Sequence, residues 1–211
     1  PRYYLGMLQD VTERHQAEEA VRYMAQHDTL TGLANRGMLL EQLERQLALA
    51  KRHGHGVALL YLDLNGFKPV NDRFGHNVGD QVLQIVAQRF LKVIRDGDLL
   101  CRQGGDEFVV LVPEAGNTDE LVSMGWKLVE VSRQPYSTLD PAIAISASVG
   151  IARYPDHGNT CEQLLTAADN AMYAAKRAKG NAVQLSTGHQ HMAQPDSGLL
   201  EPLDDHRHQH Q

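Results

Sequence analysis

The chain has 211 residues, 42% hydrophobic and 22% charged, proportions of a globular protein that exclude a collagen-like or largely disordered polymer. With 20 Lys and Arg against 26 Asp and Glu its formal charge is −6, so no basic field favours nucleic-acid polymers, and any affinity for anions must come from a local site. No apolar run approaches the ~20 residues that span a bilayer, and two cysteines are too few for a disulfide framework; a cytoplasmic setting without membrane contact from this segment is expected.

The chain opens at Pro1 rather than Met, which reads as an excerpt of a longer protein, itself free to be membrane-anchored. Tyr3 to Val11 alternates like a strand and passes into a helix capped by Asp10 or Thr12. In that helix Ala17, Val21 and Met24 form a short seam suited either to pairing helices or to resting on the next domain. Asn35 is placed to cap a helix carrying Leu39, Leu40, Leu43 and Leu47 on one side, ending near His53 to Gly56. Val57 to Leu64 is an almost wholly apolar run, expected to be a strand buried on both faces. Gly79-Asp80 leads into a helix with Val82, Leu83, Val86, Phe90 and Ile94. Asp98 to Arg102 and Glu107 to Val112 read as a hairpin closed by Gly104-Gly105-Asp106. A helix over Thr118 to Arg133, a strand over Ala142 to Ala152, a turn at Asp156 to Gly158, a helix over Cys161 to Lys179 and a strand over Ala182 to Leu185 complete the predicted order. It describes an α/β (α+β) sandwich of mixed strand direction, not a doubly wound sheet. Ser186 to Gln211 is rich in Gln, His, Asp and Pro without periodicity, the composition of a disordered tail or linker.

Asp63 stands where the apolar strand runs out. A carboxylate there is costly unless paired or bound to metal, and metal ligand and strand-end cap are equally consistent with its position. Asp106 and Glu107 follow two glycines, whose missing Cβ atoms allow a substrate close to the backbone. If the strands are neighbours, these carboxylates meet at one end of the sheet, a hard oxygen set suited to Mg²⁺ and thereby to nucleoside triphosphates; a solvated acidic hairpin tip is the plain alternative.

Four ordered segments resemble the diguanylate cyclases, or GGDEF-domain proteins. They are His27 to Arg36 (HDTLTGLANR), Asp63 to Lys68 continuing through Asn71-Asp72, Gly75-His76 and Gly79-Asp80, Arg102 to Phe108 (RQGGDEF), and Ala168-Asp169 through Ala171-Met172-Tyr173 to Ala175-Lys176. The resemblance implies a palm-like nucleotide cyclase architecture, a central, mainly antiparallel mixed sheet flanked by helices. It further implies condensation of two GTP into cyclic di-GMP with release of two pyrophosphates. Mg²⁺, with Mn²⁺ as the alternative, would be held by Asp63, the Leu64 carbonyl, Asp106 and Glu107. Asp106 and Glu107 are the catalytic candidates, and Asp106 would assist deprotonation of the attacking 3′-hydroxyl. Asn71 and Asp80 would read guanine, since a carboxylate accepts from N1–H and the exocyclic amine while an amide both donates and accepts; His76 lies between them. Phe67, Lys68, Lys176 and the Gly104-Gly105 backbone would take the rest of the nucleotide. Arg95 and Asp98, an Arg-x-x-Asp pair six residues before Gly104, match the family's site for inhibition by the product, cyclic di-GMP. Two departures stand out: Asn65 where Asp is frequent, and Lys179-Gly180-Asn181 where the family has glycine before a basic residue, which leaves the second phosphate-binding cation undefined.

The resemblance divides the chain into the end of a PAS-like sensor (residues 1–11), a linker helix (12–26), a cyclase domain (27–186) and a tail (187–211). It implies a homodimer, because each domain holds one GTP and two must face each other, controlled by an upstream sensor domain in the same chain. The tail histidines His189, His191, His206, His208 and His210 have no fixed ligand spacing. A non-catalytic receptor for GTP or cyclic di-GMP is the competing function, and a dimerisation module a third.

Overall fold

The computed structural model of the chain describes residues 23–178 and 182–187. The strand and helix expected over residues 3–22, the Lys179 to Asn181 corner and nearly all of the tail lie outside them. Residues 23–26 are helical and lead into the first expected segment.

Helix α1 (Arg36–His53) starts where the Asn35 side chain accepts a hydrogen bond from the Met38 amide, and it stops at Gly54 in the left-handed conformation. Strand β1 (Gly56–Asn65) is buried nearly throughout. It is followed by two helices where the sequence pattern marked one: α2 (Phe67–Phe74) and α3 (His76–Leu91). The short α2 escapes notice because it contains Pro69, which is tolerated in a first helical turn where no intrahelical donor is needed, and α3 begins three residues earlier than the predicted Gly79. The hairpin is β2 (Leu99–Gly104) with β3 (Glu107–Ala115). Helix α4 (Thr118–Ser132) has Asn117 as its cap. Strand β4 (Ser146–Tyr154) starts four residues later than expected, because Asp140 accepts from the Ala142 amide in a turn and the buried Ile143 and Ile145 belong to the irregular approach. Helix α5 (Cys161–Arg177) and β5 (Val183–Leu185) close the order.

The sheet order is β2-β3-β1-β4-β5. Strand β1 is antiparallel to β3 and β4, and only β4 and β5 run parallel, so the sheet is mixed and mainly antiparallel, as expected. The central position of β1 explains its continuous apolar sequence. One face of it, Ala58, Leu60, Leu62 and Leu64, packs with Phe90 of α3 and Leu128 of α4. The other, Val57 and Leu59, packs with Leu39, Leu43 and Leu47 of α1 and Leu164 and Ala168 of α5. Each of the buried Leu, Val and Phe side chains contributes about 1.5–3 kcal/mol on burial. Helix α5 packs tightly on the sheet at Gly150 of β4, where a Cβ would overlap the Ala168 carbonyl and the Met172 amide. Cys101 and Cys161 are free, and burial together with the nearby Asp28 charge pushes the Cys101 thiol up to about 12, leaving it protonated.

Candidate functional site

Asp63 is buried near the end of β1, directly opposite Glu107 on β3 and Ser148 on β4. Its side chain shares a sheet face with Tyr61, two residues earlier, and with Glu107. The next backbone amide, of Leu64, donates to the Asp106 carbonyl at 3.2 Å, which ties the β2–β3 turn to the end of β1. The sequence expectation that Asp63 and Asp106 converge is met, because β3 is the strand beside β1. Burial first, and then the Asp63 charge, raise the Asp106 carboxyl above its ordinary value; two carboxylates are held together at a cost that a cation would relieve. Lys176 of α5 reaches the same point, donating from Nζ to Asp63 Oδ1 at 2.7 Å, so here it serves as counter-charge to Asp63.

Glu107 is occupied differently from Asp106. Its Oε2 accepts from the Tyr61 hydroxyl at 3.0 Å, and burial and this carboxylate push the Tyr61 phenol far up. Among the described residues no three His, Cys, Asp or Glu side chains gather into a metal cage. The donor set is therefore two carboxylates, Asp63 and Asp106, with the Leu64 carbonyl between them in sequence, and Glu107 placed to assist from the side. That set fits Mg²⁺, which is ordinarily held by one or two carboxylates plus water and substrate phosphates rather than by an all-protein cage.

The turn itself depends on its glycines: Gly104 has φ 143° and Gly105 φ 53°, with open space where a Cβ would point, conformations that side chains other than glycine's rarely adopt. Sequence reasoning gave no role to the group that anchors the turn. Arg102 donates from Nε and Nη2 to the Gly105 carbonyl at 3.0 and 2.8 Å, and from Nη1 to both Asp28 oxygens at 3.1 and 3.0 Å. Asp28 in turn accepts from the Thr31 amide and hydroxyl at 2.9 and 2.6 Å. The available signal was position: Arg102 lies two residues before Gly104 on a strand, and Asp28 is the second residue of the first motif. Tyr61 was missed likewise, though a period of two from Asp63 places it on the same face.

Beyond β1 the chain turns through Gly66 into α2, whose N-terminus has no side-chain cap and so offers free amides of the kind that bind phosphate. Phe67 contributes only its backbone there, since its ring is in the core; Lys68 is exposed. Asn71 is on α2, and its Oδ1 is buried without a hydrogen-bond partner. His76 and Asp80 are on the first turn and a half of α3, both exposed.

Arg95 and Asp98 lie at the opposite end of β2, about 20 Å from Gly104 by the length of six strand residues. The Arg95 amide donates to the Asp98 carboxylate at 3.0 Å, and the guanidinium lies 3.9 Å from Glu120 of α4. Both residues line a cavity of about 520 Å³ with Gln46, Leu49 and Glu120.

The family described as "Diguanylate cyclase, GGDEF domain" matches residues 25–182. The chain is 42% identical over 165 residues to the bifunctional diguanylate cyclase/cyclic di-GMP phosphodiesterase MucR of Pseudomonas aeruginosa, covering 78% of this chain and 24% of MucR. Among solved structures, the GGDEF domain of TpbB from the same organism superposes with a TM-score of 0.72 at 37% identity, covering 76% of this chain and 94% of that one. The coiled coil and GGDEF domain of DgcB from Caulobacter crescentus, in complex with c-di-GMP, superposes with a TM-score of 0.75 at 32% identity, covering 83% and 93%. The chain spans between 21% and 24% of the length of three of the curated relatives it matches.

Proposed function

The chain belongs to the GGDEF domain family of diguanylate cyclases, and from that premise we propose that it condenses two molecules of GTP into cyclic di-GMP, releasing two pyrophosphates. The observation that carries this reading is the meeting of Asp63 and Asp106 at the end of adjacent central strands, beside the uncapped N-terminus of α2. A divalent metal bound by Asp63, the Leu64 carbonyl and Asp106 would neutralise triphosphate charge and acidify the attacking 3′-hydroxyl. The chain's own residues do the rest. Asp106, beside Asp63 at the mouth of the turn, assists removal of the hydroxyl proton, with Glu107 held next to the carboxylate pair by its Tyr61 hydrogen bond. The amides at Phe67 and Lys68, the Lys68 side chain and Lys176 bind the β- and γ-phosphates; with a metal on Asp63, Lys176 would be released from that carboxylate to a phosphate oxygen. Asn71 and Asp80 read the guanine, with His76 at the edge of the same corner.

Each domain holds one GTP, so closure of the ring needs a second copy facing the first, and we assign control of that encounter to residues 12–26 beneath a sensor domain. Cyclic di-GMP acts back through Arg95 and Asp98; their shared cavity, far from Gly104, suits a bulky ligand that does not compete with GTP. The intact acidic turn favours a cyclase over a receptor that only binds nucleotide, because a receptor has no need for two repelling carboxylates at its base. The location is the cytoplasm, where GTP is available; among the described residues no helix is long and apolar enough to cross a membrane. Incubation with GTP and Mg²⁺, with Asp106→Ala as control, is expected to yield cyclic di-GMP and pyrophosphate only with the parent chain. Absence of product at protein concentrations high enough to form dimers would overturn the enzyme reading.

A further inference from the structure

Gly79 is buried in the first turn and a half of α3 and has no positive φ, so its backbone makes no demand that only glycine meets. Glycine is the least favourable residue after proline inside a helix, and its presence here has to be explained by the missing side chain. The space a Cβ would fill is taken by the Asn71 carboxamide oxygen, with the Phe67 ring edge 3.4 Å away. That oxygen is buried without a hydrogen-bond partner, a cost that native structures rarely carry without a use for the group. A helix-weakening residue and an unsatisfied acceptor therefore meet at one point, and neither helps the fold.

We propose that Gly79 is a specificity-determining positioning residue. Its bare Cα is the seat that holds the Asn71 amide in one orientation, by shape and without a hydrogen bond, next to the helical turn that carries Asp80. With its oxygen lodged against Gly79, the amide keeps its NH2 end available to a base edge, whereas an NH2 fixed by an internal hydrogen bond would have to break it on binding. The inference rests on the reading of Asn71 and Asp80 as the guanine-recognising pair.

The test compares the parent, Gly79→Ala, Asn71→Ala and the double variant, measuring Kd by calorimetry for GTP and for inosine triphosphate, which lacks the exocyclic amine, with KM and kcat alongside. Gly79→Ala is expected to keep its helical circular dichroism and a Tm no lower than the parent's, since the atom in the way ends a flexible side chain and alanine is the better helix former. Its affinity for GTP should fall about tenfold, as for the loss of one hydrogen bond to the base, while kcat changes less. The preference for GTP over inosine triphosphate should shrink, and the double variant should be no worse than Asn71→Ala alone. Parent-like affinity and preference in Gly79→Ala, or losses that add in the double variant, overturn the inference while leaving the guanine assignment standing. If Asn71→Ala itself keeps both affinity and preference, the guanine assignment falls and the inference with it. Should Gly79→Ala melt early, the double variant regains the parent Tm if the crowding is with Asn71; a double variant that stays destabilised overturns the proposal.

Discussion

Replacing Arg102 by leucine removes the hydrogen bonds that tie the Gly105 carbonyl to Asp28, in a pair whose side chains are only 11% and 19% exposed. Asp28 shows how the pair is balanced. Burial pushes its carboxyl upward, but the hydrogen bonds from the Thr31 hydroxyl and amide and the Arg102 guanidinium outweigh this and hold it below its ordinary value. Hydrogen bonds to charged groups are worth about 1.5–3 kcal/mol net, and removing one partner of a buried pair costs about 3–5 kcal/mol. Asp28 keeps its two Thr31 donors, so the low end, about 3 kcal/mol, is expected for Arg102→Leu. For a domain of this size that corresponds to a Tm lower by about 6–12 °C. The pH dependence has a defined sign. A carboxyl with a depressed folded pKa contributes stability above its unfolded pKa, near 3.9, and loses it as pH falls through the folded value. The Tm gap between parent and variant should therefore be widest near neutrality and narrow below about pH 4. Arg102→Lys, which keeps the charge but not the fork that reaches two carbonyl and carboxylate partners at once, should fall between. Thermal melts by circular dichroism from pH 7 down to 3 read all of this. A Tm loss under about 2 °C, or a gap that does not change with pH, would refute the assignment. Product formation should fall along with stability, because Gly105 precedes Asp106.

Asp106→Asn should abolish cyclic di-GMP formation, by at least about 100-fold in rate, yet raise the Tm of the metal-free protein, because it removes a carboxylate held against Asp63; a lowered Tm would contradict the like-charge account. Gly150→Ala is expected to destabilise by about 3 kcal/mol or more, since the new Cβ meets the backbone of α5 at Ala168 and Met172 rather than a side chain that can move; denaturant unfolding measures it, and a neutral outcome would mean that α5 sits farther from β4. Arg95→Ala should relieve inhibition by added cyclic di-GMP while leaving initial rates unaltered, and inhibition at the parent level would remove the regulatory role of the cavity beside Glu120.

Much of the candidate site is written in the order of residues. Asp63 ends a run whose hydrophobicity requires burial on both faces, and Gly104-Gly105 precede two acids at a turn; both facts survive intact in the fold. The local punctuation of helices was equally visible at Asn35 and Gly54, where a side-chain cap and a left-handed glycine leave characteristic residues. Helix α2 was hidden because eight residues with a proline carry too little period to detect. The late start of β4 was hidden because Ile143 and Ile145 are buried like strand residues while their backbone is turned by Asp140. Glu107 illustrates a finer limit: adjacency to Asp106 makes it look like an equal partner, but Asp106 lies in the turn while Glu107 is the first residue of β3, and its contact is Tyr61.

The sequence by itself determined the chemistry on offer: which acids, glycines and cations exist, the strands and helices that carry them, and a family resemblance resting on four ordered segments. Those are properties of short stretches, where period, capping and turn preference act within a few residues. Only the tertiary structure decided which groups share a point in space. The strand order β2-β3-β1-β4-β5 puts Asp106 beside Asp63, brings Lys176 from more than a hundred residues away onto the same carboxylate, joins Asp28 to Gly105 through Arg102, and sets the Asn71 amide in the gap left by Gly79. Each of these depends on the pairing of distant strands and on how closely two helices approach, and no local preference encodes either.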